Sequence, residues 1–280
     1  APTSVGRMRV LIDGVPADPA TAAISVFDWG LQRGDGLFEV ARSYDGRVFA
    51  LDAHLDRLAA GAEKLDLELP GRDDIAEWIA GVGADGGDCF VRLVVTRGGT
   101  VPGLDVPPRC IVMWEPMPEP NNAFRILPVD APWHSGGVDW DLTGAKVISY
   151  APNMSAWRRA KREGFDDALL IARDGWVLEG PTWTIAWFLD GVLETPAMDL
   201  GILASVTRRE VLETAAETGL DVVEGHWKLD RLLAADEVVA LSTLKEVAPV
   251  VAVGPTGFVP GQATGSLASA FSARVAAALR

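Results

Sequence analysis

Lys146 is one of five lysines in the chain, and the surroundings of the other four leave it best placed to act as an amine nucleophile. Lys161 lies in a basic helical run, Lys64 on the polar side of its helix, and Lys228 follows Gly-His-Trp in an expected loop. Lys245 is the rival, because it follows Ser242-Thr243 at an expected strand end. A primary amine can condense with a carbonyl carbon to a Schiff base and afterwards carry a proton. An exposed strand lysine is the plain alternative for Lys146 taken alone. Glu179, 33 residues later in Val177-Leu-Glu-Gly-Pro, is a carboxylate that could keep a neighbouring base in its cationic form. Taken alone it reads as a surface glutamate at a strand end.

Three further places could hold an anion. Arg57 can offer a bidentate guanidinium near the start of its helix. Val206 and Thr207 stand where a helix begins, and free N–H groups and the helix dipole attract negative charge there. Ser242 and Thr243 offer hydroxyls between the apolar run Val238-Val-Ala-Leu and Val247-Ala-Pro-Val. A surface arginine, a plain helix cap and a turn would explain each of these separately; only their joint occurrence points further.

Strands and helices alternate around these residues. Four Asp-Gly pairs, at Asp13, Asp45, Asp174 and Asp190, are flanked by apolar residues and read as β-hairpin turns, since Asp-Gly tolerates the positive φ of a type I′ turn. Asp52 is expected to cap a helix with Leu55, Leu58, Ala62 and Leu65 on its apolar face. A second helix has Ile75, Trp78, Ile79 and Val82 on one side. A third, Asn153 to Arg162, has Arg158, Arg159, Lys161 and Arg162 on its wet side. Thr207-Arg-Arg-Glu210 reads as a capping box opening a fourth helix that Gly219 closes. Leu267 to Leu279 is a fifth.

A chain of 280 residues with 49% hydrophobic content has material for two cores. Trp114 to Asn122, with three prolines and no apolar period, is the expected linker. The division is then an α+β amino-terminal domain over 1–116, a linker over 117–125 and a larger β-rich domain over 126–280. The net charge of −14 sets the chain against nucleic-acid and membrane-surface roles. Cys89 and Cys110 form no CxxC pair, so no metal is expected, and both read as buried small apolar residues. No apolar segment is long enough to span a bilayer, and cytoplasm is the simplest expected location.

Taken in order, the motifs resemble the fold-type IV pyridoxal-phosphate (PLP) enzymes. That family includes branched-chain and D-amino-acid aminotransferases, (R)-amine transaminases and aminodeoxychorismate lyase. The seven matching pieces are Gly34-Asp-Gly-Leu-Phe-Glu39, His54 to Leu58, Lys146 with Tyr150, Glu179-Gly180, Thr195-Pro196, Gly201-Ile-Leu with Val206-Thr-Arg208, and Ser242 to Val250. They cover the chain from about Leu11 to Val250. The resemblance implies a two-domain fold with a smaller amino-terminal domain and a pseudo-barrel carboxy-terminal one. It also implies an active site at the domain interface, a homodimer, and PLP on Lys146. Arg57, Val206, Thr207, Ser242 and Thr243 would hold the phosphate, Tyr150 would meet the ring hydroxyl, and Glu179 would partner the pyridine nitrogen.

Within the family, D-amino-acid aminotransferases trap the substrate carboxylate with a tyrosine where this chain has Leu31. They also use an Arg-x-His after Thr-Arg-Gly, and nothing equivalent follows Thr96-Arg97-Gly98. Lyases often place threonine after Phe-Glu, where this chain has Val40, yet Ala145-Lys-x-hydrophobic-Ser-Tyr with Leu178-Glu-Gly-Pro resembles actinobacterial lyase-type chains. Leu31, Arg92, Arg97, His134, Trp183 and Lys245 are candidates to reach a substrate. The expected activity is a PLP-dependent aminotransferase acting on an amino acid or amine and a keto acid or ketone. The alternatives are aminodeoxychorismate lyase and a PLP-binding protein without turnover.

Overall fold

The computed structural model describes residues 8–83, 87–121 and 123–280. Its contacts group the chain into two compact units, one of residues 1–118 and 145–150, the other of 119–144 and 151–278. The expected division at 117–125 assigns Lys146 to the second domain, whereas the contacts of 145–150 lie in the first unit. Asn122 of the expected linker lies outside the described residues.

The first unit runs β1 (Arg9–Ile12), β2 (Val15–Ala17), α1 (Trp29–Arg33), β3 (Gly36–Tyr44), β4 (Arg47–Val48), α2 (Leu51–Leu65), α3 (Arg72–Gly83), β5 (Cys89–Thr96), β6 (Gly99–Val101), β7 (Leu104–Val106) and β8 (Arg109–Pro116). Six of its strands form an antiparallel sheet in the order β2-β1-β8-β5-β3-β4, with β6 and β7 a separate hairpin. Strand alternation sends Leu37 and Ala41 of β3 to one face with Val91, Leu93 and Val95 of β5. There Leu37, Val91, Leu93 and Val95 pack with Leu55, Leu58 and Ala62 of α2 and Ile75 and Ile79 of α3. The side chain of Val82 lies outside the described residues. Cys89 and Cys110 are buried in this core, and burial pushes their thiols up to about 11 and about 12. Asp52 does not cap α2. Ala50 holds the N-cap position in a left-handed conformation without a side-chain bond, and Asp52 sits in the first turn.

The second unit runs β9 (Phe124–Asp130), α4 (Ala151–Arg162), β10 (Asp167–Ile171), β11 (Thr184–Leu189), β12 (Val192–Pro196), α5 (Val206–Glu217), β13 (Val222–Gly225), α6 (Leu229–Leu233), β14 (Glu237–Ser242), β15 (Glu246–Val253), β16 (Thr256–Gly257) and α7 (Gln262–Ala278). Its sheet is mixed, ordered β10-β9-β15-β14-β11-β12-β13, with β16 paired to β15. Residues 176–179 join its two ends. Leu178 N–H donates to Leu170 on β10, while Val177 N–H donates to Trp227, just beyond β13. That closure gives the barrel-like form expected, around Phe124, Ile126, Leu169, Ile185 and Trp187.

Three Asp-Gly pairs make two-residue hairpins, with Asp13, Asp45 and Asp190 at φ 52°, 48° and 51°. Asp174-Gly175 differs. Ala172 N–H donates to Trp176 O across a three-residue loop in which Gly175 alone has positive φ. α7 begins at Gln262, earlier than its apolar spacing indicates, because the Glu237 carboxylate accepts from the N–H groups of Gly261, Ala263 and Thr264. No helix among the described residues is long and apolar enough to cross a membrane.

Candidate active site

In the first unit the lysine segment is held by backbone. Phe38 N–H donates to Lys146 O and Ile148 N–H to Gly36 O, at 3.0 Å each, and Val147 bridges Leu37. Pairing puts Val147 toward the helical core, which it touches, and sends Lys146 to the opposite face with Phe38. There the Lys146 Nζ lies 4.2 Å from the Phe38 ring centroid, and Tyr150 meets the same ring edge-on at 5.2 Å. Two glycines permit this approach. A Cβ on Gly36 would stand 2.2 Å from Val95 O and 3.0 Å from Ile148 Cδ1, and one on Gly34 would stand 2.8 Å from Ser149 Cβ. Gly34 also closes α1 at φ 70°.

On the helical face, Glu39 of β3 meets His54 and Arg57, one turn apart on α2. Arg57 Nε donates to Glu39 Oε1 at 2.7 Å and Nη2 to Oε2 at 2.6 Å, and His54 Nδ1 lies 3.1 Å from Oε2. Burial acts to raise the Glu39 pKa, but the Arg57 charge and the bonds from Arg57 and His54 outweigh it and hold the carboxyl down at about 2. Burial is also the main influence on His54 and lowers its pKa. Glu39 opposes that effect, while Arg57 and Lys146 add to it. His54 is therefore neutral, with its Nδ1 proton assigned to the bond with Glu39. Glu39 belongs to the Phe-Glu motif, but nothing in the sequence gave it a role. The available signal was the His54-x-x-Arg57 spacing, which puts two polar side chains together on an otherwise apolar helix face.

The substrate candidates of this unit are placed differently. Arg97 is taken up by Asp35 at 2.7 Å and by the carbonyls of Leu65 and Asp66, so it ties the end of α2 to the Gly-Asp-Gly turn. Leu31 on α1 is exposed. Arg92 pairs with Glu115 at 2.8 Å.

In the second unit Glu179 is half-buried at the end of the closing segment, in irregular backbone rather than the expected strand. Its carbonyl accepts from Leu170 N–H at 2.8 Å, and its Oε1 accepts from Leu203 N–H at 3.1 Å. Leu203 leads into α5, which Ser205 caps by accepting from Arg208 N–H at 3.2 Å. The capping box read at Thr207 is thus corrected: Thr207 is the second helical residue. The N–H groups of Val206 and Thr207 have no carbonyl one turn earlier in the helix to bond. Arg208 anchors this end, donating to Pro196 O at 2.9 Å and pairing with Glu224 at 2.6 Å.

Ser242 ends β14 and accepts from Lys245 N–H at 3.1 Å, with Thr243 in the turn between. Of two further substrate candidates, one is interior and the other half-buried. Trp183 is buried in the barrel core and its indole donates to Asp167 at 3.0 Å, so it has no surface to offer a substrate. Lys245 lies in a turn rather than at a strand end, with its ammonium 4.4 Å from the Phe124 ring centroid, and burial lowers its pKa. His134 Nδ1 accepts from Gly136 N–H at 3.2 Å. Sequence reasoning missed Asp167 as it missed Glu39, and the sole trace of it was an acid beside the apolar run Ala-Leu-Leu-Ile.

The amino-transferase class IV family model matches residues 36–253. A putative branched-chain-amino-acid aminotransferase of Methanocaldococcus jannaschii is 35% identical over 254 residues, 87% of each chain. A bifunctional aminodeoxychorismate lyase / D-amino acid transaminase of Mycobacterium tuberculosis is 32% identical over 237 residues, 76% of this chain and 80% of that one. Among solved structures, a fold IV-transaminase from Curtobacterium pusillum superposes with a TM-score of 0.88 at 30% identity, over 97% of this chain and 99% of that one.

Proposed function

The chain belongs to the amino-transferase class IV family, and from that premise we propose that it moves an amino group between an amino acid or amine and a keto acid or ketone, using PLP held by Lys146. The observation that carries the assignment is the Lys146 amine, set over Phe38 on a segment hydrogen-bonded to β3. By chemical type the donors suit the cofactor: in the first unit an amine for its aldehyde and an arginine for its phosphate, in the second a carboxylate for its ring nitrogen and helix-start N–H groups for its phosphate. PLP, when bound, supplies an electron-withdrawing ring that stabilises negative charge on the substrate carbon.

The residues then divide the work. Lys146 Nζ would hold the cofactor through its aldehyde, and the same amine would be the base that moves a proton at the substrate carbon. Glu179 would face the ring nitrogen, where a carboxylate favours the protonated form. Arg57, the N–H groups of Val206 and Thr207, and the hydroxyls of Ser242 and Thr243 would hold the phosphate, and Tyr150 would bond the ring hydroxyl. The direct test is to reduce the PLP-loaded protein with borohydride and locate the modified lysine by mass spectrometry. An amine donor should then convert the cofactor to its pyridoxamine form.

A second reading, release of pyruvate and 4-aminobenzoate from aminodeoxychorismate, is favoured by the bifunctional relative. The engagement of Arg97 with Asp35 and two carbonyls also takes up the side chain nearest an expected carboxylate trap. Pyruvate formed from aminodeoxychorismate without an added acceptor would assign the lyase. The proposed working unit is a homodimer in the cytoplasm. Exposure of Val26, Phe27, Leu31 and Leu104 supports the dimer, and light scattering tests it.

A further inference from the structure

We propose that Asp167 and Trp183 are positioning residues, forming a strut from β10 through the indole to Gly180 that fixes the direction of the Glu179 carboxylate. The inference rests on the reading of Glu179 as the partner of the ring nitrogen.

The strut can be followed atom by atom. Asp167, the first residue of β10, accepts the Trp183 indole N–H on Oδ2 at 3.0 Å and Ala168 N–H on Oδ1 at 2.8 Å. Phe124 meets the indole edge-on at 5.4 Å, so the ring is held on a second side. The indole lies directly against the backbone of Gly180. A Cβ there would stand 1.9 Å from Trp183 Cε2 and 2.2 Å from Nε1, closer than any side chain tolerates. Gly180 N–H also donates to Trp183 O at 2.7 Å, closing a tight turn. Only glycine can follow Glu179 here, because the indole takes up the space of any side chain.

The other end of the strut returns to the same strand. Leu170, three residues beyond Asp167 on β10, donates its N–H to the Glu179 carbonyl, and Leu178 N–H donates to Leu170 O. Glu179 is therefore bracketed. Its backbone is fixed to β10, the next residue is clamped beneath an indole tied to β10, and its Oε1 is set by Leu203 N–H. A charge-assisted bond to a ring nitrogen depends on direction and on distances near 2.8 Å, so this bracket determines how much of the bond is realised. Asp167 also has the charge to hold the indole. Burial pushes it up to about 6, opposed by Ala168 N–H, the indole and the Lys245 and Lys161 ammonium groups, so it is ionised at neutral pH.

The test uses holoenzyme loaded with PLP labelled with 15N at the ring nitrogen, whose chemical shift reads its protonation directly. Trp183→Phe removes the N–H and keeps an aromatic ring. Asp167→Asn keeps the size and removes the charge. In both, the ring-nitrogen signal should move toward the neutral form at pH 8. kcat should fall by about ten- to a hundredfold with KM little changed, the scale of a small misplacement of a catalytic group. Unfolding midpoints of the same samples separate this from loss of structure, because Asp167→Asn relieves a buried charge and should not destabilise. Glu179→Gln is the control. If it moves the signal while neither strut variant does, the strut is wrong. If Glu179→Gln leaves the signal in place, the reading of Glu179 fails and the strut fails with it.

Discussion

Arg57 and Glu39 meet through two hydrogen bonds, Nε to Oε1 and Nη2 to Oε2, buried between α2 and β3. This geometry presets the guanidinium plane before any anion arrives. It also changes what Arg57→Ala would report. Removing one partner of a buried pair strands the other charge, at about 3–5 kcal/mol. Arg57→Ala should therefore lose stability as well as cofactor, and adding Glu39→Gln should recover part of the stability but none of the PLP affinity. Urea unfolding and PLP titration on the single and double variants check this. Unchanged PLP affinity in Arg57→Ala would reduce the residue to a structural role.

The same pair sets an acid limit. The Glu39 pKa is depressed from 4.5 to about 2 on folding, so ionised Glu39 contributes about 3 kcal/mol that is fully present above pH 4.5. The contribution falls away as pH drops toward 2. His54, with its pKa lowered by burial, also favours the folded state at higher pH, and its share is lost as pH falls through its unfolded value. Glu39→Gln should flatten the acid limb of the stability curve, as measured by urea midpoints between pH 3 and 7.

Asp167 should behave with the opposite sign. Its pKa is raised from 3.8 to about 6, so the folded state favours the protonated form, and stability declines as pH rises from 3.8 through 6. Asp167→Asn should be more stable than the parent above pH 6, by at most about 3 kcal/mol, and should show little advantage at pH 3.5. Equal midpoints at both pH values would contradict the buried, ionised assignment.

Lys146→Ala should fold and bind PLP without a borohydride-reducible bond. Retention of that bond, mapped by mass spectrometry to Lys245, would overturn the choice between the two lysines.

Glu179→Gln keeps shape and removes charge. PLP should still bind, and proton removal from the substrate carbon should become the slow step, slowed by several powers of ten at about 1.4 kcal/mol each. Near-normal single-turnover rates at full occupancy would mean that another residue partners the nitrogen.

Much of this was legible in the sequence where local rules decide. The I′ hairpins at Asp13, Asp45 and Asp190 follow from the chemistry of Asp-Gly, and α2 and α3 from apolar spacing. The family read from the order of short motifs is the one that the comparisons returned. Helix starts are less legible. Ser205 lies two positions before Thr207 and is equally able to cap, and Asp52 sits inside a helix whose cap makes no side-chain bond at all. Trp183 and Lys245 are only candidates to reach a substrate from the sequence, which alone does not say which face of a barrel a residue takes; Trp183 proves to be buried. Their partners Asp167 and Phe124 are distant in the chain, and only the fold brings them together.

The pairing of residues 146–148 along β3 also has a bearing on solubility. β3 is nine residues long, but its neighbour β4 covers only Ser43 and Tyr44 of that edge. The lysine segment occupies the stretch at Gly36–Phe38, donating to Gly36 O and accepting from Phe38 N–H. An uncovered run of strand is a template for adding a strand from another molecule. Truncation before residue 145, or a proline at Ile148 that removes its N–H, should therefore expose a sticky edge, and aggregation on concentration would be the first sign of it.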